Sequence, residues 1–390
     1  MRGTAGSVTD RRILHVITDL NVGGAETMLY RLVQVPEMAR CEHRVVSLTS
    51  PGAIGDRLRQ LGIESLALGM GRFPSPLKIV RLARIVRDFR PAVVHTWMYH
   101  ANLIGGIAAR LAGGVPIVWA IHSCVLEPGR ARWTTRWTVA LGAWLSGWLP
   151  DHIVAVSRAS RDQHVAIGYD PTKLVVIPNG FDVEQYRPDP GARRAVREEL
   201  RLDPDAVVIG LVARIDPVKD HASFIRAAGL LARRQPHAAF LFCGDGTEHL
   251  AGAIDGAGLS DRFRLLGHRD DVPRVMNALD VATLCSAAGE AFPLVVGEAM
   301  ACGVPCVVTD LGDCSYLVGE TGRVVRPRDP EALAAAWEEM VLLGPDGRHR
   351  LGREARRRIE REFSLRRVAA EYAALYSPPV AGRLATSRAQ

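Results

Sequence analysis

The stretch FDVEQYRPDPGARRAVREELRLDPD, residues 181–205, decides how this chain is divided. It is charged, carries three prolines and lacks the short β-branched runs that precede and follow it. Upstream, RILHVITDL, HRVVSLTS, ESLALG, AVVHTW, IVWAIH, HIVAVS and LVVIPN read as strands. Between several of them lie segments of helical spacing: AETMLYRLVQV, PLKIVRLARIVRDF and ANLIGGIAARLAG. Downstream the alternation restarts with VVIGLVAR, AAFLFCG, FRLLGH, VATLCS, PCVVTD and GRVV. Strands rich in Val and Ile that alternate with helices imply parallel sheets covered on both faces. Two doubly wound α/β domains facing a central cleft are therefore expected, over residues 1–185 and 186–365. SLRRVAAEYAALY predicts a terminal helix, 366–378, packed on one or both domains, with a loose tail over 379–390.

A chain of 390 residues exceeds what one ordinary core organises. Its 48% hydrophobic and 23% charged residues are those of a globular protein. The net charge of +7 suggests an anionic partner, but only three of the 49 basic residues are lysines, so arginine usage weakens that inference. No nucleic-acid recognition motif accompanies the charge, and nucleic acid is not expected as a partner. Seven cysteines without a CxxC pair argue for free thiols in a reducing compartment. Cys302 and Cys306 have no histidine or second cysteine pair nearby, so no metal site is expected. The start, MRGTAGSVTDRR, is polar, and no run reaches the roughly eighteen apolar residues of a spanning helix, which predicts a cytoplasmic protein.

Ligands of doubly wound sheets bind outside the carboxyl ends of the strands. Several suggestive residues fall there. After the first strand, NVGGAETML places Gly23 and Gly24 where a ligand can approach the backbone and a helix N-terminus can meet an anion. An ordinary tight turn explains the same two glycines. His122 ends the fifth strand; a lone histidine there is more often a structural hydrogen-bonder than a catalyst. In VVIGLVARIDPVKD, Arg214 follows the strand and Lys219 comes five residues later, two cations on one loop suited to a diphosphate. A solvated charged turn is the plainer alternative.

GEAFPLVVGEAMACGVP, residues 289–305, sets Glu290 and Glu298 eight positions apart. The interval alone means little, because it also separates Glu331 from Glu339 and Glu354 from Glu362 in helical, solvated stretches. Here, however, Phe-Pro-Leu breaks the chain before a helix whose N-terminus would face the cleft. That geometry offers Glu290 to a neutral polyol, backbone N–H groups to phosphate, and Glu298 to the hydroxyls of a ribose.

Together these elements resemble the retaining GT-B glycosyltransferases of family GT4, the glycosyl transferases group 1 class. The resemblance covers nearly the whole chain. It rests on VGGAE, the strand-end His122, the A-V-S strand with Ser157, IPNGFD at 177–182, R-x4-K, CGDG at 243–246 and EAFPLVVGEAMACGVP. Asp216-Pro217 inside the cationic loop and Ala291, where the family often has Gly, are mild departures. The resemblance implies a UDP- or GDP-sugar donor held mainly by the C-terminal domain. It further implies Arg214 and Lys219 on the diphosphate, Glu298 on the ribose, Glu290 on the transferred sugar, and Phe292, Pro293 and Leu294 lining the same pocket. Gly23, Gly24 and His122 would reach the donor from the acceptor-side domain.

The implied reaction is metal-independent transfer with retention to a glycan or polyprenyl-linked acceptor, in exopolysaccharide, capsule or envelope synthesis. A retaining glycosidase using Glu290 and Glu298 is a rival that leaves the cationic loop and Gly-Gly turn unexplained. A non-catalytic nucleotide-sugar-binding protein is another. The one D-x-D, Asp203-Pro204-Asp205, lies in a turn entering a strand. Finally, Trp133, Trp137, Trp144 and Trp148 share one face of a helix, with Arg130, Arg132 and Arg136 near its start. A core-facing stripe is the preferred reading; contact of 130–148 with an anionic membrane is the alternative. Arg81, Arg84 and Arg87 read as a solvated helix face.

Overall fold

The computed structural model describes residues 11–71, 75–124 and 133–376. Seven strands form the first sheet: β1 (Arg12–Ile17), β2 (Glu42–Ser47), β3 (Glu64–Ala67), β4 (Val93–Trp97), β5 (Ile117–Ile121), β6 (His152–Ala155) and β7 (Leu174–Val176). Six form the second: β8 (Val207–Val212), β9 (Ala238–Cys243), β10 (Phe263–Leu265), β11 (Val281–Leu284), β12 (Cys306–Thr309) and β13 (Arg323–Val325). Strand order is β3-β2-β1-β4-β5-β6-β7 in one and β10-β9-β8-β11-β12-β13 in the other, and the pairings are parallel. The order reverses beside β1 in the first sheet and beside β8 in the second, which opens a crevice at the carboxyl ends of those strands. The central strands are buried on both faces, hence their near-continuous apolar runs.

Helices Pro76–Phe89, Tyr99–Leu111 and Trp133–Ser146 cover one face of the first sheet. Helix Gly24–Leu32 and the terminal helix Leu365–Leu375 cover the other. The chain passes between the domains twice, and the two crossings are bonded to each other. Phe181 N–H donates to Phe363 O at 2.9 Å, and Leu365 N–H donates to Phe181 O at 2.8 Å. Beyond this point the terminal helix packs on the first domain, with Val368, Ala369, Tyr372 and Tyr376 in its core. Helix Pro190–Glu199, from the charged stretch 181–205, packs instead on helix Val272–Ala278 of the second domain; Arg193 and Arg197 both bond Asp280.

The tryptophan stripe does not face the core. Val139, Gly142, Ala143 and Ser146 pack the helix against the domain, and a Cβ on Gly142 would lie 2.7 Å from the Tyr169 hydroxyl. Only small residues fit that close approach, so the four indoles point to solvent. Arg130 and Arg132 lie outside the described residues.

Three histidines lie side by side beneath the terminal helix because β2, β1 and β4 are neighbours. His15 Nε2 lies 3.0 Å from His43 Nδ1, and His43 Nε2 lies 2.7 Å from Met38 O. Trp97 Nε1 donates to His15 Nδ1 at 3.3 Å, and Tyr376 Oη lies 2.7 Å from His95 Nδ1. With each ring accepting at Nδ1, neutral imidazoles satisfy these contacts, His95 Nε2 alone being left without a partner, and burial holds all three below the ordinary histidine pKa. Below about pH 6.5 the unfolded chain therefore takes up protons that the folded one refuses. The stabilisation is complete above that pH and is lost as pH falls. The melting temperature should be level between pH 8 and 7 and drop towards pH 5; a flat profile down to pH 5 would contradict the neutral relay.

Candidate active site

A cleft of about 1360 Å³ separates the domains, and all ten sequence-predicted site residues line it: Gly23, Gly24, His122, Arg214, Lys219, Glu290, Phe292, Pro293, Leu294 and Glu298. All but Glu298, which lies inside helix Leu294–Ala301, belong to loops after strands or to the starts of helices. Gly23 and Gly24 begin the helix after β1. A Cβ on Gly23 would sit 2.3 Å from Glu26 Oε2, whereas one on Gly24 would meet nothing within 4 Å. Gly23 thus makes room for a carboxyl group, and Gly24 leaves the backbone open to the cleft. Burial pushes the Glu26 carboxyl up to about 7.

The cationic loop follows β8. Asp216 Oδ1 accepts Val218 N–H at 2.9 Å and caps the single 3₁₀ turn Pro217–Lys219, while Asp220 caps the helix that follows. The Asp-Pro pair, a departure at the level of sequence, is what fixes this turn. It aims Lys219 at the next loop, where Lys219 Nζ lies 2.5 Å from Glu290 Oε1. Ser286 Oγ donates to the same oxygen at 2.6 Å. Arg214 is exposed at the cleft, 3.6 Å from Asp216.

Phe292 is buried, and its carbonyl accepts Asn179 Nδ2–H at 2.8 Å across the domains. Pro293 precedes helix Leu294–Ala301, whose first turn has no side-chain cap. Its N–H groups remain available to an anion. Four residues into the helix, Glu298 is buried and paired with Arg31 Nη2 at 2.6 Å; Arg31 belongs to the first domain. Arg31 Nη2 also donates to Tyr186 Oη at 3.3 Å.

His122 stacks on Trp97, ring centroids 5.0 Å apart, and neither ring nitrogen makes a well-formed hydrogen bond. Burial lowers it to about 3, with Asn179 offsetting part of the effect, so the imidazole is neutral and able to donate and accept. Ser157, noted only as part of a strand, caps helix Arg158–Ala166 by accepting Ser160 N–H. The second-domain carboxylate of Asp313 accepts N–H from Arg158 and Ala159 at the same helix start, at 2.7 and 2.9 Å.

Sequence reasoning did not find Arg31, Tyr186, Ser286 or Asp313. Asn179 was inside the quoted IPNGFD, and its position beside a conformationally permissive Gly was the available signal. Asp203 accepts Asp205 N–H at 2.9 Å, a local turn before β8. Cys124, Cys243, Cys285, Cys302, Cys306 and Cys314 are free thiols. Among the described residues no three His, Cys, Asp or Glu side chains gather as metal ligands, and no helix is long and apolar enough to cross a membrane.

Two parallel-sheet domains meeting over a cleft at the carboxyl ends of their strands are the GT-B architecture. The family model "Glycosyltransferase Family 4" matches residues 22–185, and "Glycosyl transferases group 1" matches residues 206–342. The chain belongs to this family, the GT4 or group 1 glycosyltransferases. It is 28% identical over 280 residues to the UDP-Gal:alpha-D-GlcNAc-diphosphoundecaprenol alpha-1,3-galactosyltransferase of Escherichia coli, covering 68% of this chain and 70% of that one. It is likewise 28% identical to the putative glycosyltransferase EpsF of Bacillus subtilis, over 77% of this chain and 80% of that protein. Among solved structures, Anabaena Alr3699/HepE in complex with UDP superposes with a TM-score of 0.82 at 24% identity, over 93% of this chain and 98% of that one.

Arg31 tests how the cleft is held. Replacing it with Ala leaves Glu298 buried without its cationic partner, a penalty of about 3 kcal/mol that opening the cleft relieves. Small-angle scattering should give Arg31→Ala a larger radius of gyration than the wild type. The double variant Arg31→Ala/Glu298→Ala should return towards the wild-type value. An unchanged radius in the single variant would contradict a closing role for the pair.

Proposed function

We propose that the protein transfers a sugar from a UDP-sugar to a glycan or polyprenyl-linked acceptor, with retention and without a metal, at the cytoplasmic side of envelope or exopolysaccharide synthesis. The observation that carries this reading is the convergence of Arg214, Lys219 and the uncapped start of helix Leu294–Ala301 on one cleft. Two cations and oriented N–H groups suit a diphosphate whose negative charge grows as the anomeric C–O bond breaks. Uridine is favoured over guanosine by the UDP in the Anabaena neighbour and the UDP-Gal in the name of the E. coli relative. The same relative's diphosphoundecaprenol acceptor favours a lipid-linked one here.

In this reading the ribose hydroxyls bind Glu298, and Arg31 moves or shares that carboxylate. Glu290 exchanges Lys219 for hydroxyls of the transferred sugar, which frees Lys219 for phosphate. Neutral His122 hydrogen-bonds the same sugar from the opposite wall. The departing diphosphate takes the electron pair of the anomeric bond. Its oxygen then accepts the proton of the acceptor hydroxyl, which forms the new C–O bond on the same face. Closure over the cleft excludes water from this step. A glycosidase using Glu290 and Glu298 leaves both the cationic loop and the uncapped helix without a role. A non-catalytic binding protein would bind the donor without turning it over.

Lys219→Ala should lower kcat/KM for donor turnover by about a thousandfold, with an unchanged circular-dichroism spectrum. Full activity in that variant would overturn the assignment. Extensive treatment with EDTA should leave the rate unchanged, whereas a loss restored by added Mg²⁺ or Mn²⁺ would remove the metal-free mechanism.

A further inference from the structure

Seven tryptophans occur in the chain, and four of them lie in one exposed row. Trp133, Trp137 and Trp144 follow one face of helix Trp133–Ser146, and Trp148 continues the row in the next turn. They are between 55% and 79% exposed, with half-exposed Leu141 among them. Such indoles present on the order of 500 Å² of aromatic surface, near the upper limit for the largest apolar patch of a monomer.

The neighbouring helices extend this face. Helix Tyr99–Leu111 packs beside the tryptophan helix, and helix Pro76–Phe89 packs beside that one, all on the same side of the first sheet. Leu77 and Leu111 are exposed on this layer. So are Arg81, Arg84, Arg87 and Arg136. The three helices together hold six basic side chains and one acidic side chain, Asp88. The whole chain, by contrast, is nearly balanced at 49 basic to 42 acidic residues. Positive charge is therefore concentrated on the layer that also carries the indoles.

We propose that this three-helix layer docks the protein on an anionic lipid bilayer. An indole joins a large apolar ring to one N–H donor, and such side chains settle at the level of lipid headgroups. Arginines beside them meet the negative surface potential. The row is shallow and lies along one helix, which suits insertion of ring edges into an interface and not a spanning segment. A second copy of this chain fits less well. A twofold contact would set one strongly positive layer against its equal, with one carboxylate on each side to offset it. The inference depends on exposure and charge alone and not on which sugar or acceptor the cleft takes.

Flotation of the full chain with vesicles tests this. The wild type should float with phosphatidylcholine vesicles containing phosphatidylglycerol and stay behind with phosphatidylcholine alone. Trp137→Ala/Trp144→Ala should weaken binding to the anionic vesicles at least about tenfold, and Arg81→Glu/Arg84→Glu should do the same. Both variants should retain donor turnover with a water-soluble acceptor, since neither pair touches the cleft. Wild type that does not float with anionic vesicles, or variants that bind as well as wild type, would overturn the proposal. So would a concentration-dependent dimer in sedimentation velocity that Trp144→Ala abolishes, which would assign the row to a second copy.

Discussion

A carboxylate taken out of water must find a cation or hydrogen-bond donors, and the cleft of this protein is organised by two that have done so. Glu290 and Glu298 are both buried in the wall of the second domain. Glu290 is satisfied from within that domain, by Lys219 and Ser286, so its pairing ties the loop after β8 to the loop after β11. Glu298 is satisfied from across the cleft, by Arg31, so its pairing ties one domain to the other. The same logic applies to Asp313, which spends its carboxylate on the helix start at Arg158. Polar contacts thus hold the domains together at the cleft, while apolar packing holds them at the crossings.

Pairs of this kind are near break-even against solvent and geometry, and that is what makes them exchangeable. A ligand bearing hydroxyls and phosphates offers each member a substitute partner of similar strength. Glu290 and Lys219 separated from one another would each be costly unless a new polar partner took the place of the old. Within the protein, each of these two buried carboxylates is already matched by a cationic side chain.

How much of this was legible in the sequence follows from what each feature depends on. All thirteen strands fall in short apolar runs of the sequence, and central strands such as β4, β5 and β11 are buried along their whole length, which leaves little room for polar residues. The cleft residues show because they follow strand ends. Arg31 does not, since in AETMLYRLVQV it looks like any basic residue in the last turn of an amphipathic helix. The histidine relay does not either: His15, His43 and His95 are brought together only by the order β2-β1-β4, which no local pattern encodes. Helices Pro36–Ala39 and Gly52–Gln60 are not among the segments whose helical spacing stands out in the sequence. The tryptophan row reads as core in the sequence because amphipathic helices normally bury their aromatic side. The helix has two apolar faces, and only the small one fits against the sheet.

The crossings decide which parts can move when the cleft opens. Phe181 and Ser364 pair side by side, and their surroundings leave little room. A Cβ on Gly180 would lie 2.9 Å from Leu365 Cα, and one on Gly297 would lie 2.1 Å from the Phe181 ring. Helix Leu294–Ala301 therefore rests directly on the first crossing, and the start of the terminal helix rests on it from the other side. Rotation at the crossing must shift the helix that presents Glu298 and the uncapped N–H groups, because close-packed contacts transmit displacement instead of absorbing it. The terminal helix, locked to the first domain by Val368, Tyr372 and Tyr376, must stay with that domain. An opening of the cleft would therefore turn about residues 180–181 and 363–365, where the two crossings are bonded. Helix Leu294–Ala301 is coupled to the crossing through Gly297, and the terminal helix through Gly180, where no larger residue fits.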